Sequence, residues 1–101
     1  MVDERKLRDY CLSTVHPLGK HKARLFRSVL ALTRENAVVL REELLRRARS
    51  EDVLLEGADT YGTRYVLDFK MAHRSRRAEV RSVWIVLRGE EFPRLVTCYV
   101  R

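Results

Sequence analysis

The chain has 101 residues and carries 21 Lys+Arg against 14 Asp+Glu, a net charge of +7. That length fits one domain spanning 1–101, and a chain well above ~40 residues can bury a core without disulfides or metals. A hydrophobic content of 46% excludes a disordered chain, and no apolar run approaches the length of a membrane-crossing helix.

The basic excess is lopsided. Residues 1–50 hold twelve basic and six acidic groups, whereas 51–101 hold nine and eight. A basic half on a small domain is the electrostatic footprint of a polyanionic partner such as RNA, set against the plainer reading of charge kept for solubility. The polar start MVDERKLRDY predicts no signal peptide and a cytoplasmic protein. Cys11 and Cys98 are then expected as reduced thiols, since they are far apart in sequence and fit no metal-ligand spacing.

In chain order, the first half reads as helical. ERKLRDYCL forms a short helix with Leu7 and Tyr10 or Cys11 on one side. VHPLG breaks it, because Pro17 forces His16 to be extended and Gly19 frees the backbone. From Lys20 to about Leu30 the period is helical, with Leu25, Phe26, Val29 and Leu30 as an apolar stripe. Thr33 caps a third helix from Arg34 to about Arg49, with Ala37, Leu40 and Leu44 on one face.

The second half switches to strands. DVLLEGADTYGTRYVLDFKMA reads as a hairpin turning near Tyr61-Gly62, with Tyr65, Leu67, Phe69 and Met71 alternating inward. HRSRR is a charged turn, AEVRSVWIVLR a long strand, GEEFP a turn and RLVTCYV a last strand. In RSVWI the alternation slips, which predicts either two covered faces or a bulge that re-aims Trp84. The expected fold is α+β, two or three N-terminal helices packed on a four-stranded antiparallel meander.

Three constellations carry chemistry. The helix opening at Lys20 separates an outward basic ridge, Lys20, Arg24 and Arg27, from a stripe headed by Lys22. A lysine there either snorkels out or sits at the edge of a cleft, where the helix N-terminus also favours an anion. His16 and His21 flank that turn, and histidine is the usual general acid or base. Cleavage of RNA through its own 2′-hydroxyl needs such groups and positive charge beside the phosphate, but no metal. His73, in the charged turn, is a weaker candidate.

On the last strand, Thr97 and Tyr99 share one face if Val96, Cys98 and Val100 face the helices. Two hydroxyls so placed suit a phosphate or a base, although strand propensity alone also favours both residues. Arg64 and Arg94 open strands that reach the same region. Trp84 is either core or a stacking surface for a base. No Gly-rich phosphate loop, Ser/His/Asp ordering or HExxH pattern is present, so neither a metal site nor a cofactor is expected.

The segments KLRDYCLSTVHPLGKHKARLF, YGTRYVLDF and VRSVWIVLRGEEFPRLVTCYV together resemble an uncharacterised bacterial family known only as a domain of unknown function. Its members occur as small stand-alone proteins and as C-terminal modules of polymorphic toxins. The layout is more distantly similar to metal-independent ribonucleases of the barnase, colicin and RelE kind. Carried over by position, the resemblance marks His16, Pro17, Gly19, Lys22, Ala23 and Phe26, then Tyr61, Gly62, Arg64 and Tyr65, then Trp84, Pro93, Arg94, Leu95, Thr97 and Tyr99.

It implies an endoribonuclease-like toxin domain of a toxin–antitoxin or polymorphic-toxin system. His16, Lys22, Arg64 and Thr97 would be catalytic, with Gly19, Lys20, His21, Trp84, Arg94 and Tyr99 contacting substrate. A small acidic antitoxin or immunity-like protein would neutralise it. The alternative is a non-enzymatic module that binds nucleic acid or protein through the basic N-terminal face.

Overall fold

A computed structural model describes residues 1–50 and 53–101. Asp3 starts α1 (Glu4–Lys6) by accepting the Arg5 amide N–H at 2.9 Å. The helix widens at once into a π turn, Leu7–Cys11, whose buried side is Leu7 and Cys11. After the break at 12–19, α2 runs from Lys20 to Leu30. It stops at Ala31, whose left-handed φ of 55° lets the Ala31 and Leu32 amides close on the carbonyls of Arg27 and Phe26.

Thr33 and Asn36 form the expected cap, the Thr33 N–H donating to Asn36 Oδ1 at 3.0 Å. A 3₁₀ turn, Arg34–Asn36, then leads into α3 (Ala37–Ser50). Of the predicted stripe on α2, Phe26 and Leu30 are buried and Val29 is half-buried, whereas Leu25 is 47% exposed. Ala23 takes the inner position instead. On α3, Ala37, Leu40 and Leu44 are buried as their spacing requires.

Four antiparallel strands follow in the order β1 (Leu54–Ala58), β2 (Gly62–His73), β3 (Arg76–Leu87) and β4 (Arg94–Val100). Residue 52, where the first hairpin arm was expected to start, lies outside the described residues. Arg74 and Ser75 both take positive φ at the β2–β3 turn, the geometry that matches strand twist across a tight hairpin. Helices cover one face of the sheet. Leu67, Phe69 and Met71 meet them from β2 and Val80 and Trp84 from β3.

The slip in RSVWI has a different cause from the one expected. Pairing of β2 with β3 is continuous from Gly62↔Leu87 to His73↔Arg76, so β3 carries no bulge. Ser82 simply occupies a core position between Val80 and Trp84. Its hydroxyl donates to the Leu67 carbonyl at 2.8 Å and accepts the Trp84 indole N–H at 2.8 Å. A serine is tolerated there because both polar groups find partners.

The irregularity sits on β4. Val83 pairs with Thr97 and Trp84 with Leu95, which leaves Val96 as an extra residue. This bulge puts Leu95 on the core side with Cys98 and Val100, and turns Thr97 and Tyr99 to the other face. Strict alternation would have kept Leu95 and Thr97 together. Lys6 donates to the carbonyls of Leu95 and Val96, at 3.4 and 3.1 Å, and so satisfies backbone groups the bulge leaves free.

The start of α2 lies against the π turn with no room for a side chain. A Cβ on Gly19 would sit 2.1 Å from the Tyr10 carbonyl oxygen. The Ala substitution must therefore push the helix off the turn. We expect Gly19→Ala to cost about 2 kcal/mol and to lower Tm by roughly 10 °C, read by thermal unfolding against Gly57→Ala, whose Cβ would meet nothing within 4 Å.

Candidate anion-binding site

The packing of Gly19 on Tyr10 brings the first turn of α2 beside the edge strand β4. Lys22 reaches across that junction. Its ammonium donates to the Tyr10 hydroxyl at 3.3 Å and to Thr97 Oγ1 at 3.2 Å. It also lies over the Tyr10 and Tyr99 rings, 5.3 and 5.2 Å from their centroids. Each such cation–π contact contributes about 0.5–2 kcal/mol, more as water is excluded. Among the described residues no carboxylate pairs with it, so its charge is solvated by neutral oxygens and ring faces alone.

His16 stands next to this group, edge-on to Tyr10 with ring centroids 4.8 Å apart. Its Nδ1 accepts two backbone N–H groups, from Leu18 at 3.0 Å and Gly19 at 3.1 Å. The break VHPLG is thus a turn folded around the imidazole. With Nδ1 used as an acceptor, the ring proton resides on Nε2, which has no protein partner among the described residues. Ser13, buried beneath, accepts the His16 amide N–H at 3.2 Å and fixes the turn.

A thiol lies behind the cation. Thr97 accepts from Lys22 and stands 4.0 Å from Cys11 Sγ, to which its hydroxyl proton is free to point. Hydrogen bonding from the Cys98 side chain and backbone and from Thr97 favours the Cys11 thiolate. Those hydrogen bonds, chiefly that from the Cys98 thiol, outweigh burial and, with the Lys22 charge, bring the Cys11 thiol down to about 7. Cys98 is pushed up by its bond to Cys11 and by burial.

On the open face of the sheet a second cation flanks Tyr99. Arg81 pairs with Asp68 through two hydrogen bonds of 2.9 Å and lies opposite Tyr99, its Cα partner across the strands. Arg101 joins Asp68 and Glu79, each at 2.8 Å. The Arg81 guanidinium holds the Asp68 carboxyl below the usual carboxylate range.

Of the residues singled out in the sequence, His16, Gly19, Lys22, Thr97 and Tyr99 come together. Lys20 is half-buried on the first turn of α2, and His21 is exposed outside the cluster. Arg64 and Arg94 are not brought to it. Arg64 pairs with Asp59 at 3.7 Å, and Arg94 holds Glu90 through bonds of 2.8 and 2.7 Å while stacking on Phe92. Trp84 is 2% exposed and bonded to Ser82, so it is core and no surface for a base. His73 caps α2, its Nδ1 2.7 Å from the Leu30 carbonyl.

Tyr10, Cys11 and Arg81 join the site without having been assigned to it from the sequence. The helical spacing placed Tyr10 or Cys11 on one side with Leu7, but nothing local linked either of them to β4. No group of three or more His, Cys, Asp or Glu that could hold a metal occurs among the described residues. No described helix is long and apolar enough to cross a membrane.

The path from Lys22 through Thr97 to Cys11 predicts a measurable coupling. Thiolate absorbance should titrate with a midpoint near 7 in the wild type. Thr97→Val and Lys22→Met each remove a stabiliser of the thiolate, so both should move the midpoint upward. An unmoved midpoint in both variants would contradict the coupling.

Comparison with known proteins gives a fold and a family. The structure matches a chain of a contact-dependent growth inhibition toxin–immunity protein complex from Klebsiella pneumoniae 342, with a TM-score of 0.78. The match covers 99% of this chain and 98% of that one at 16% sequence identity, so it establishes a shared fold. No curated protein matches by sequence. Over residues 1–101 the chain belongs to the family described as a domain of unknown function, DUF6883.

Proposed function

We propose that this domain is a ribonuclease-like toxin module that cleaves RNA through the 2′-hydroxyl, with the Lys22 cluster as its phosphate site. The observation that carries the reading is the Lys22 ammonium, held by Tyr10 and Thr97 with no described carboxylate partner, next to an imidazole whose Nε2 is free. A cation solvated only by hydroxyls and rings gains most from an anion placed beside it. The net charge of +7 and the exposed Arg24 and Arg27 on the same helix draw a polyanion toward that place.

In this reading Lys22 and the Thr97 hydroxyl stabilise charge as it builds on the phosphate. Tyr10, whose oxygen accepts from Lys22, keeps its own O–H for the phosphate. His16 donates a hydrogen bond from Nε2–H to the phosphate, while water takes the 2′-hydroxyl proton and supplies one to the leaving 5′-oxygen. The shared fold with one chain of a toxin–immunity complex supports the assignment to a toxin system. A small acidic protein that puts carboxylates against Lys22 and α2 would neutralise it.

The test is total RNA incubated with purified protein in chelator. Wild-type protein should cleave, leaving 2′,3′-cyclic phosphate ends. Lys22→Ala should lose about a hundredfold or more in rate, and His16→Ala, which removes one donor to the phosphate, should lose less. Arg64→Ala and Arg94→Ala should change the rate little. Binding without cleavage would overturn the reaction and leave a non-enzymatic nucleic-acid-binding module.

A further inference from the structure

Two stretches of the chain, residues 10–34 and 69–78, hold no acidic residue. The first carries Lys20, Lys22, Arg24 and Arg27, and the second carries Arg74, Arg76 and Arg77. Far apart in sequence, they meet at the C-terminal end of α2. The Arg76 guanidinium donates to the Ser28 carbonyl at 2.6 Å, and His73 Nδ1 donates to the Leu30 carbonyl at 2.7 Å. The tip of the β2–β3 hairpin is thereby fastened to the helix whose first turns hold Lys22. We propose that α2 and this hairpin tip form one binding surface for the phosphate backbone of RNA, running from the Lys22 site to Arg74 and Arg76. Because it rests on the ribonuclease reading, the ligand is RNA. The surface adds the substrate class, an RNA long enough to run past the cut and held there by its backbone.

Availability separates these cations from the arginines of the sheet. Arg64, Arg81, Arg94 and Arg101 each face a carboxylate. Lys20, Arg24, Arg27, Arg74 and Arg76 have no carboxylate partner among the described residues, and all but half-buried Lys20 are exposed. A phosphate arriving there displaces mobile counterions and breaks no ion pair. Guanidinium groups also match phosphate oxygens through two parallel N–H bonds.

The 11 residues of α2 span about 16 Å, a length over which a nucleic-acid strand presents several phosphates. Lys22 and the ridge of Lys20, Arg24 and Arg27 lie on opposite flanks of the helix. A strand bound to both crosses over exposed His21, which lies between them. Beyond the Lys22 site the surface offers no ring for a base, since Phe26 and Phe69 are buried. Protein interfaces centre on apolar and aromatic anchors. Along α2 and the hairpin tip only Leu25 is large, apolar and exposed, so a phosphate backbone fits this surface better than a protein does. Such contacts position a nucleic acid without reading its sequence.

Binding is measured by fluorescence anisotropy with a short single-stranded RNA that is 2′-O-methylated throughout, so that no 2′-hydroxyl is left for cleavage. The logarithm of affinity should fall linearly with the logarithm of salt concentration, each phosphate contact contributing about 0.7 to the slope. Arg24→Ala with Arg27→Ala, and Arg74→Ala with Arg76→Gln, should each flatten that slope by about 1.4. The glutamine keeps an amide N–H for the Ser28 carbonyl, and thermal unfolding checks that each double variant is folded. Arg94→Ala, which removes a paired cation, should leave the slope unchanged. A wild-type slope in either folded double variant overturns the joint surface. Failure of the wild type to bind the methylated RNA also overturns it and leaves these cations to an acidic protein. Binding with the expected slopes by a protein that cleaves no ordinary RNA overturns the ribonuclease reading alone.

Discussion

The contact of Gly19 with the Tyr10 carbonyl is the constraint on which the rest of the molecule depends. It lets the backbone of α2 lie directly on the π turn, a distance that any Cβ would prevent. From that seat Lys22 points at the edge of β4 rather than at solvent. The same turn presents the amides of Leu18 and Gly19 to His16, so one packing decision places both the cation and the imidazole. Ser13 and the π turn, which carries Tyr10 inward, complete the support.

A second device sits on the strand that faces this junction. The extra residue Val96 breaks the alternation of β4, sending Leu95 into the core while Thr97 and Tyr99 turn toward Lys22. Lys6 bonds to the carbonyls at the bulge, so the first helix also fixes the shape of the last strand. The core and the candidate site are therefore coupled through β4. Cys98 packs inside while its neighbours Thr97 and Tyr99 meet the cation, and buried Cys11 reaches toward that side through its contact with Thr97.

Four arginines on and beside the sheet show how charge can be plentiful without being available. Arg64, Arg81, Arg94 and Arg101 all pair with carboxylates. Exposed pairs of this kind contribute little to stability, about 0–1 kcal/mol each, but they lower the local positive potential. Lys22 differs because its partners are hydroxyls and ring faces. That difference, rather than the total of +7, marks the place where a cation sits among hydroxyls and ring faces.

Much of the fold was legible in the sequence because local chemistry wrote it. The break at Pro17 and Gly19, the Thr33 cap, the inward alternation of Leu67, Phe69 and Met71, and the turn residues between strands are all short-range signals. The helix period also put Lys22 at the head of an apolar stripe, which set it apart from Lys20, Arg24 and Arg27 on the outward ridge. Leu25 misled because it lies at the margin of that stripe, and a one-position shift in helix rotation turned it outward. The sequence left Trp84 two readings, and its bond to buried Ser82 makes it core.

What the sequence could not determine depended on register and on contacts between distant segments. The bulge at Val96 exists only relative to β3, so no pattern within RLVTCYV reveals it. Tyr10, Cys11, Thr97 and Lys22 lie on three separate elements, and nothing in their spacing requires them to meet. Arg64 and Arg94 looked equivalent to Lys22 as isolated cations, and only their folded neighbours, Asp59 and Glu90, set them apart. The sequence by itself determined the elements and their inner faces, through periodicity, capping and turn chemistry. The tertiary structure alone decided which cation sits among hydroxyls and ring faces, because that depends on what long-range packing places beside it.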